Sequence, residues 1–543
     1  MDNGSDDEQM RRAIELSLQE HQTETQQRVS PSNTIDLTQR LDDEERENDD
    51  IRKAIALSLG KPVGQLTARE ALLGSTASTG KRRSPSDSSG DTRTTTSDQR
   101  PSKKLAPEPI RYWDGVVKLT YVTGFTGPNF IRFEDIVQRT VLKKAVITAM
   151  VVSMDWIEKQ FPSTVNLCIV LHGRPAMSRQ MSPNRIFIMP PMKDERFGVF
   201  HPKLMLLFHE SSLRVVIGSA NLVPYDYRDL ENVVFIQDFP LAAKPVESKS
   251  QLPRFAQEIR DLLEHMQVPT SVKAELFKYD FSRAKAHVVV SVSGVFEGDD
   301  YKRYGHARLA QIVKELGAVD PDRTPQVEMQ TSSLGGLNIS YLNELYRSFS
   351  GIDFYSNGGK PPRQKKTNEL PPIDIIYPSR DTVNDSRLGP PGASTICLNT
   401  STWKKSTFPK EVMCDAISYR AGTLMHSKYI VTTLKSKKAS ASASTPAVSP
   451  SSGLSSNSND NSKTKNKELK GWVYCGSHNA TMSAWGKLSL SKYTKKPKMA
   501  INNWELGVVL PLYEDSHIPV TYIRPPPRYK PSQNAWTQDM EWS

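Results

Sequence analysis

The residues best suited to chemistry in this chain come in two distant copies of one order. His201-Pro-Lys203 is followed by the apolar run Leu204-Met-Leu-Leu-Phe208, a second run Leu213-Arg-Val-Val-Ile217, and Ser219-Ala-Asn221. Far downstream, His426-Ser-Lys428 precedes Tyr429-Ile-Val-Thr-Thr433, then Gly471-Trp-Val-Tyr-Cys475 and Ser477-His-Asn479. About one His-x-Lys is expected by chance in a chain of this composition, so a single copy means little. Repetition of the whole unit is what carries the signal. Two copies supply two imidazoles, two ammonium groups and two carboxamides. One imidazole can attack phosphorus while the other protonates the departing oxygen. The lysines and asparagines can then meet the charge that spreads over the non-bridging oxygens. This is the equipment for cutting a phosphodiester without a metal.

Such a site needs elements to hold it. From Tyr112 onward, apolar runs (Val116–Val122, Ala145–Val152, Asn166–His172) alternate with helical patterns around Phe133–Gln138 and Asp155–Phe161. After Asn221 come a strand at Glu231–Ile236, a helix at Arg254–His265, a strand at His287–Ser293 and a helix around His306–Val313. Ile373–Arg380 and Trp504–Pro511 repeat the texture in the second half. Alternation of this kind implies α/β layers with a mixed or parallel sheet. Two similar halves are expected, 108–325 and 326–543, with His201, Lys203 and Asn221 in one and His426, Lys428 and Asn479 in the other. The Lys-, Ser-, Thr- and Asn-rich passage at about 435–467 cannot bury a core, so a disordered insertion between two strands is expected there.

Charge and cysteine usage narrow the class further. The net charge is +11, yet residues 1–60 hold 15 acidic against 7 basic side chains, which places −8 there and +19 on the rest. A body so basic suits a polyanionic partner. Cys168, Cys397, Cys414 and Cys475 stand apart without paired spacing, as in a reducing compartment. No apolar run approaches the roughly 18 residues that span a bilayer, so no membrane partner is expected.

In the acidic N-terminal part, Met10, Ala13, Ile14 and Ser17 fall at i, i+3, i+4 and i+7, and so do Ile51, Ala54, Ile55 and Ser58. Each set makes a narrow stripe on a helix preceded by acids. Both resemble the ubiquitin-interacting motif, which implies ubiquitin or ubiquitylated proteins as partners. The first copy is complete through Glu20, whereas Lys61 stands where the second should have its trailing acid. Two such helices within 1–61 and a disordered linker over 62–107 are the expectation. The linker's Lys81-Arg-Arg83 and Lys103-Lys104 fit nuclear import and a solvated linker equally well.

The duplicated His-x-Lys and Asn units resemble the phospholipase D superfamily. Their detail is similar to the tyrosyl-DNA phosphodiesterase family: Phe208 and Thr433 stand where the wider superfamily has Asp, and Tyr377-Pro-Ser379 and Asn479-Ala-Thr-Met-Ser-Ala-Trp485 also match. The resemblance implies two phospholipase D-like halves, each a mixed sheet flanked by helices. It also implies a nuclear DNA-repair enzyme that frees DNA 3′ ends from a topoisomerase I tyrosine or related adducts, with a topoisomerase I-derived peptide leaving. His201 would be the nucleophile, His426 the acid and then the base, and Lys203, Lys428, Asn221 and Asn479 the phosphate holders. Glu505 would orient a histidine, and Glu231 occupies the analogous place after the first unit, where the family has glutamine. Phe197 would stack on a base, and Ser219, Ser477, Ser379 and Arg380 would contact substrate. His209, His478 and Trp485 read as structural, and no metal or other cofactor is implied. A general nuclease or phospholipase of the same superfamily, or a ubiquitin-binding adaptor with a vestigial body, are the competing readings.

Overall fold

The computed structural model describes residues 109–193, 198–353, 355, 369–437 and 467–538. The expected ubiquitin-binding helices, the linker, Phe197 and most of the insertion (438–466) lie outside these residues.

The chain after Ile110 is a mixed α/β body built on two large sheets. Strands β1 (Val116–Thr120), β2 (Phe130–Ile131), β3 (Leu142–Ala149), β4 (Asn166–Leu171), β5 (Met177–Ser182), β6 (Arg185–Met189), β7 (Leu204–His209), β8 (Ser212–Gly218) and β9 (Val233–Pro240) form the first. Its order is β2-β1-β9-β8-β7-β3-β4-β6-β5. The next ten strands are β10 (His287–Ser291), β11 (Gly294–Glu297), β12 (Arg323–Gln330), β13 (Ile373–Tyr377), β14 (Met413–Asp415), β15 (Tyr429–Ser436), β16 (Leu469–Gly476), β17 (Lys487–Leu490), β18 (Pro497–Ile501) and β19 (Glu505–Tyr513). Seven of them make the second large sheet, in the order β10-β19-β16-β15-β12-β13-β14, and β11-β18-β17 make a small third one.

Aligned at the His-x-Lys hairpins, the large sheets match strand for strand. The run β1-β9-β8-β7-β3-β4-β6 of one corresponds to the whole of the other. Both central hairpins, β7–β8 and β15–β16, are antiparallel, and β3–β4 and β12–β13 are both parallel. A parallel step requires a crossover. The helices Met154–Gln160 and Ile339–Phe349 supply these two, the second capped by Asn338, whose side chain accepts from the Tyr341 amide. The sheets divide the chain earlier than the expected boundary near residue 325, because β10 already pairs with β19 through His287↔Val509 to Ser291↔Glu505.

The central strands read as unbroken apolar runs because both faces are covered. Alternate side chains of β7, β8 and β9 (Leu206, Val215, Ile217, Val233, Phe235) join Val431, Val473, Leu506 and Val508 of the second sheet in one core cluster. The intervening residues Met205, Leu207, Val216 and Val234 face a separate outer cluster, as do Ile430, Trp472, Tyr474 and Val509 on the other side. The period of two thus splits each strand between a shared core and a private one. The helix Arg254–His265, bounded as the sequence predicts, adds Phe255, Ile259 and Leu262 to the shared core. All four cysteines are free thiols. No helix among the described residues is long and apolar enough to cross a membrane.

Candidate active site

The two His-x-Lys segments enter β7 and β15 where the sheets meet, and each is pinned by the opposite half. His201 N donates to Trp504 O (3.1 Å), and Trp504 N to Val199 O (2.9 Å). The mirror arrangement is His426 N to Glu231 O (2.9 Å) and Glu231 N to Leu424 O (2.8 Å). Short parallel bridges, Phe200↔Trp504 and Glu231↔Met425, record the same crossing. The separate triplets of the sequence therefore share one buried floor, and all of His201, Lys203, His426 and Lys428 are buried.

Side chains cross as well. His201 Nδ1 lies 2.7 Å from Glu505 Oε2, which opens β19 of the second sheet. His426 Nδ1 lies 3.1 Å from Asp226 Oδ2, in the turn between β8 and β9 of the first. An ionised carboxylate only accepts, so each imidazole keeps its proton on Nδ1 and presents the lone pair of Nε2. Glu505 is held in turn by Ser477 Oγ and by Asn503 Nδ2 (3.1 Å), and Asp226 by the Asn221 amide (2.6 Å).

Burial dominates the electrostatics. Desolvation, with Lys203, Lys428 and His426 close by, holds His201 well below the ordinary histidine range, so it is a neutral base in the free protein. Burial likewise lowers His426 to about 4, against the pull of Asp226. Asp226 itself ends below the usual carboxyl range: burial alone would raise it, but His426, the Asn221 amide and Lys428 favour the anion. Burial pushes Glu505 up, opposed by His478, Lys203 and the bonds from Ser477 and Asn503. Desolvation and the neighbouring Lys428 push Lys203 well down, and desolvation brings Lys428 to about 7. A bound phosphodiester anion would reverse these shifts, since opposite charge favours the protonated forms of His and Lys.

The remaining donors also point to an anion. Lys203 Nζ donates to His201 O (2.8 Å) and Lys428 Nζ to His426 O, which leaves each ammonium with further protons to give. Asn479 Oδ1 accepts from Thr331 Oγ1 (3.1 Å), Ser332 N (3.3 Å) and Ser333 N (3.1 Å), and Asn221 Oδ1 from Val151 N (3.4 Å). With the carbonyl oxygens so engaged, the Nδ2 donors remain for substrate. Among the described residues no group of three or more His, Cys, Asp or Glu is placed to hold a metal ion.

Several sequence expectations are corrected. Ser219 and Ser477 are not substrate contacts: Ser219 Oγ donates to Asn232 Oδ1 (2.7 Å) and accepts from Val233 N (3.0 Å), just as Ser477 Oγ donates to Glu505 and accepts from Leu506 N (3.0 Å). This equivalence also moves the counterpart of Glu505 by one residue, from Glu231 to Asn232. Glu231 instead forms a buried ion pair with Arg420 across the two halves (Nε to Oε1, 2.7 Å) and accepts from Ser418 Oγ (2.6 Å). Ser379 caps the helix Arg380–Asn384, its Oγ accepting from Thr382 N (3.2 Å) and donating to Asp415 (2.8 Å), so its hydroxyl is committed. Arg380 stands half-buried beside it, its guanidinium without a hydrogen bond among the described residues. His209 bonds Val137 O (3.1 Å), and His478 bonds Tyr474 and Ser291, all structural. Asp226 was not singled out by sequence because the second unit has no acid at the matching place, Ala484.

Comparison with known proteins agrees with this geometry. The family model for tyrosyl-DNA phosphodiesterase matches residues 116–535, and the ubiquitin interaction motif model matches 5–21 and 46–60. The chain is 23% identical over 483 residues to a tyrosyl-DNA phosphodiesterase 1 of Arabidopsis thaliana, covering 82% of this chain and 76% of that one. It is 24% identical over 338 residues to a probable tyrosyl-DNA phosphodiesterase of Caenorhabditis elegans, covering 60% and 65%. The crystal structure of the yeast tyrosyl-DNA phosphodiesterase shares the fold, with a TM-score of 0.53 at 16% identity over 78% of this chain and 100% of that one. With a family model spanning most of its length and paired His, Lys and Asn residues on one floor, the chain belongs to the tyrosyl-DNA phosphodiesterase family and is a DNA-repair phosphodiesterase.

Proposed function

We propose that this enzyme hydrolyses the bond between a DNA 3′ phosphate and a topoisomerase I tyrosine, and related 3′ adducts, through a covalent phosphohistidine. The reading rests on the crosswise His–carboxylate pairs, which hold each imidazole by Nδ1 and keep His201 and His426 close enough to interact. The phosphodiester anion favours the imidazolium, so His426 takes up a proton at Nε2 as substrate binds. His201 Nε2 then attacks phosphorus, the P–O bond to the phenol breaks, and His426 Nε2 gives that proton to the departing oxygen. His426, now neutral, takes a proton from water, whose oxygen attacks the same phosphorus. The P–N bond breaks, His201 is regenerated, and a 3′-phosphate end departs. Lys203, Lys428, Asn221 and Asn479 hold the non-bridging oxygens throughout.

The test is a 3′-tyrosyl oligonucleotide incubated in EDTA. Wild type is expected to release tyrosine, and His201→Ala to release none. His426→Asn is expected to accumulate a protein–DNA adduct, because release of the phosphate from His201 is helped less than attack. An active wild type with no trapped adduct would remove the covalent step, and loss of activity in EDTA with rescue by a divalent metal would remove the mechanism. The two N-terminal motifs support ubiquitin binding at Met10, Ala13, Ile14 and Ser17 and at Ile51, Ala54, Ile55 and Ser58, and the basic clusters Lys81-Arg-Arg83 and Lys103-Lys104 fit action in the nucleus. Ala13→Trp and Ala54→Trp together are expected to abolish ubiquitin capture by the full chain.

A further inference from the structure

We propose that the β17–β18 hairpin is a docking arm for the DNA backbone that flanks the reactive phosphate. The inference rests on the phosphodiesterase reading above and adds a second contact region to it. The hairpin grows from the catalytic floor at both ends. Its first strand follows Trp485 and Gly486, just beyond Asn479, and its second leads into Asn503, Trp504 and Glu505. Asn503 N donates to Ser483 O (2.9 Å), which ties the two roots together beside the residue that orients His201.

One face of the hairpin is anchored. Leu488, Met499 and Ile501 belong to the shared core, and Leu488 pairs with Met499 across the strands. The opposite face presents Lys487, Ser489, Lys498 and Ala500, small residues between two lysines. The tip is a tight loop closed by Ser491 N to Lys496 O (2.9 Å) and Lys495 N to Ser491 O (3.0 Å), with Lys495 at φ 58°. It projects Lys492, Lys495 and Lys496 into solvent around Tyr493, which is 95% exposed.

Carboxylates do not cancel this charge. Glu297 of β11, opposite Lys498, accepts from Thr494 Oγ1 (3.0 Å). Asp299 and Asp300 pair with Lys302 (3.3 Å) and Arg303 (3.7 Å). The hairpin therefore carries five lysines, and the carboxylate that strand pairing sets opposite it is Glu297. None of the five forms an ion pair with a carboxylate among the described residues. A row of lysines around an exposed aromatic suits a single strand: the ammonium groups take phosphates and the ring takes a base. Ten residues separate Thr494 from Trp504, so at about 3.3 Å per residue the tip is at most roughly 33 Å from the floor. At about 3.4 Å per nucleotide the arm meets the strand within roughly ten nucleotides of the scissile phosphate.

The test compares the full-length protein with the K492E/K495E/K496E triple variant and with Tyr493→Ala on two substrates. One is an aryl ester of a nucleoside 3′-phosphate, too short to reach the arm; the other is a 3′-tyrosyl single strand of about 20 nucleotides. The triple variant is expected to keep its rate on the aryl ester and to lose on the order of tenfold or more in kcat/KM on the long strand. Its salt dependence should be shallower by roughly 0.7 for each phosphate that the lysines no longer neutralise. Tyr493→Ala is expected to weaken the single strand and leave the salt dependence alone. Equal effects on both substrates, or none on either, would overturn the proposal. Binding of the same oligonucleotide without its adduct, followed by anisotropy, reads the arm independently of catalysis: the triple variant is expected to bind more weakly, and unchanged affinity would overturn the arm even if the enzyme is active. Preference for phosphatidylserine vesicles over the oligonucleotide would overturn it too.

Discussion

Asp226 is the residue on which the two-histidine division of labour turns. It holds His426 Nδ1 and the Asn221 amide at once, so it aligns the acid and one phosphate holder together. Asp226→Asn would keep the shape but remove the charge that favours the imidazolium. A fall in kcat of on the order of 100-fold is expected, with a smaller change in KM and the alkaline limb of the pH profile displaced to lower pH, since the imidazolium that protonates the leaving oxygen loses its counter-charge. A kcat within a few-fold of wild type would show that His426 needs no carboxylate. Lys428 gives a second expectation. Its free-protein pKa of about 7 must rise when a phosphate anion binds, so binding takes up a proton above that pH. KM for a 3′-tyrosyl oligonucleotide should therefore be flat below about pH 7 and climb above it by up to about tenfold per unit. The same depression has the opposite sign for the empty fold. The unfolded chain keeps its proton up to the ordinary lysine value of 10.5, so this group adds stability as pH rises from about 7 toward that value.

At the scale of elements, the matching hairpins put equivalent residues in equivalent places, but the loops between them differ. Glu231 and Arg420 show the consequence. Their buried pair ties the segment before β9 to the loop that delivers His426, and Arg420 Nη1 also donates to Thr120 O (2.8 Å) at the end of β1. Arg420→Ala would leave Glu231 buried without its cation, a loss of about 3–5 kcal/mol of stability. Urea denaturation should register this, and kcat should fall with it because the His426 loop loses its clamp. Stability unchanged within about 0.5 kcal/mol would mean that the carboxyl simply protonates.

The body after Ile110 is expected to unfold as one unit because its two sheets share a core. Leu206, Val215 and Ile217 of the first sheet touch the same cluster as Val473, Leu506 and Val508 of the second. A fragment ending at residue 286 would expose that face and lose Glu505, the partner of His201. Such a fragment is expected to aggregate or to bind hydrophobic dye, whereas the intact chain should unfold in one transition. Two well-separated transitions in calorimetry would contradict this. The +19 charge beyond residue 60 belongs to this scale too, a field suited to a polyanion and strongest at low salt.

The sequence by itself determined the repeated unit, the identities of both histidines, lysines and asparagines, and the α/β texture that carries them. Those signals are local: a motif and the apolar periods of strand and helix. The role of Glu505 was also legible, but only through family resemblance. Tertiary structure alone decided which carboxylate serves which imidazole, because each pair joins residues of opposite sheets, some 200 to 300 positions apart. Nor could spacing show that Glu231 is one position out of register with Glu505, since side chains on neighbouring strand positions point to opposite faces. Ser219, Ser379 and Ser477 look like phosphate ligands in a motif and become braces in the fold, because a buried hydroxyl takes whatever acid or amide packing brings to it.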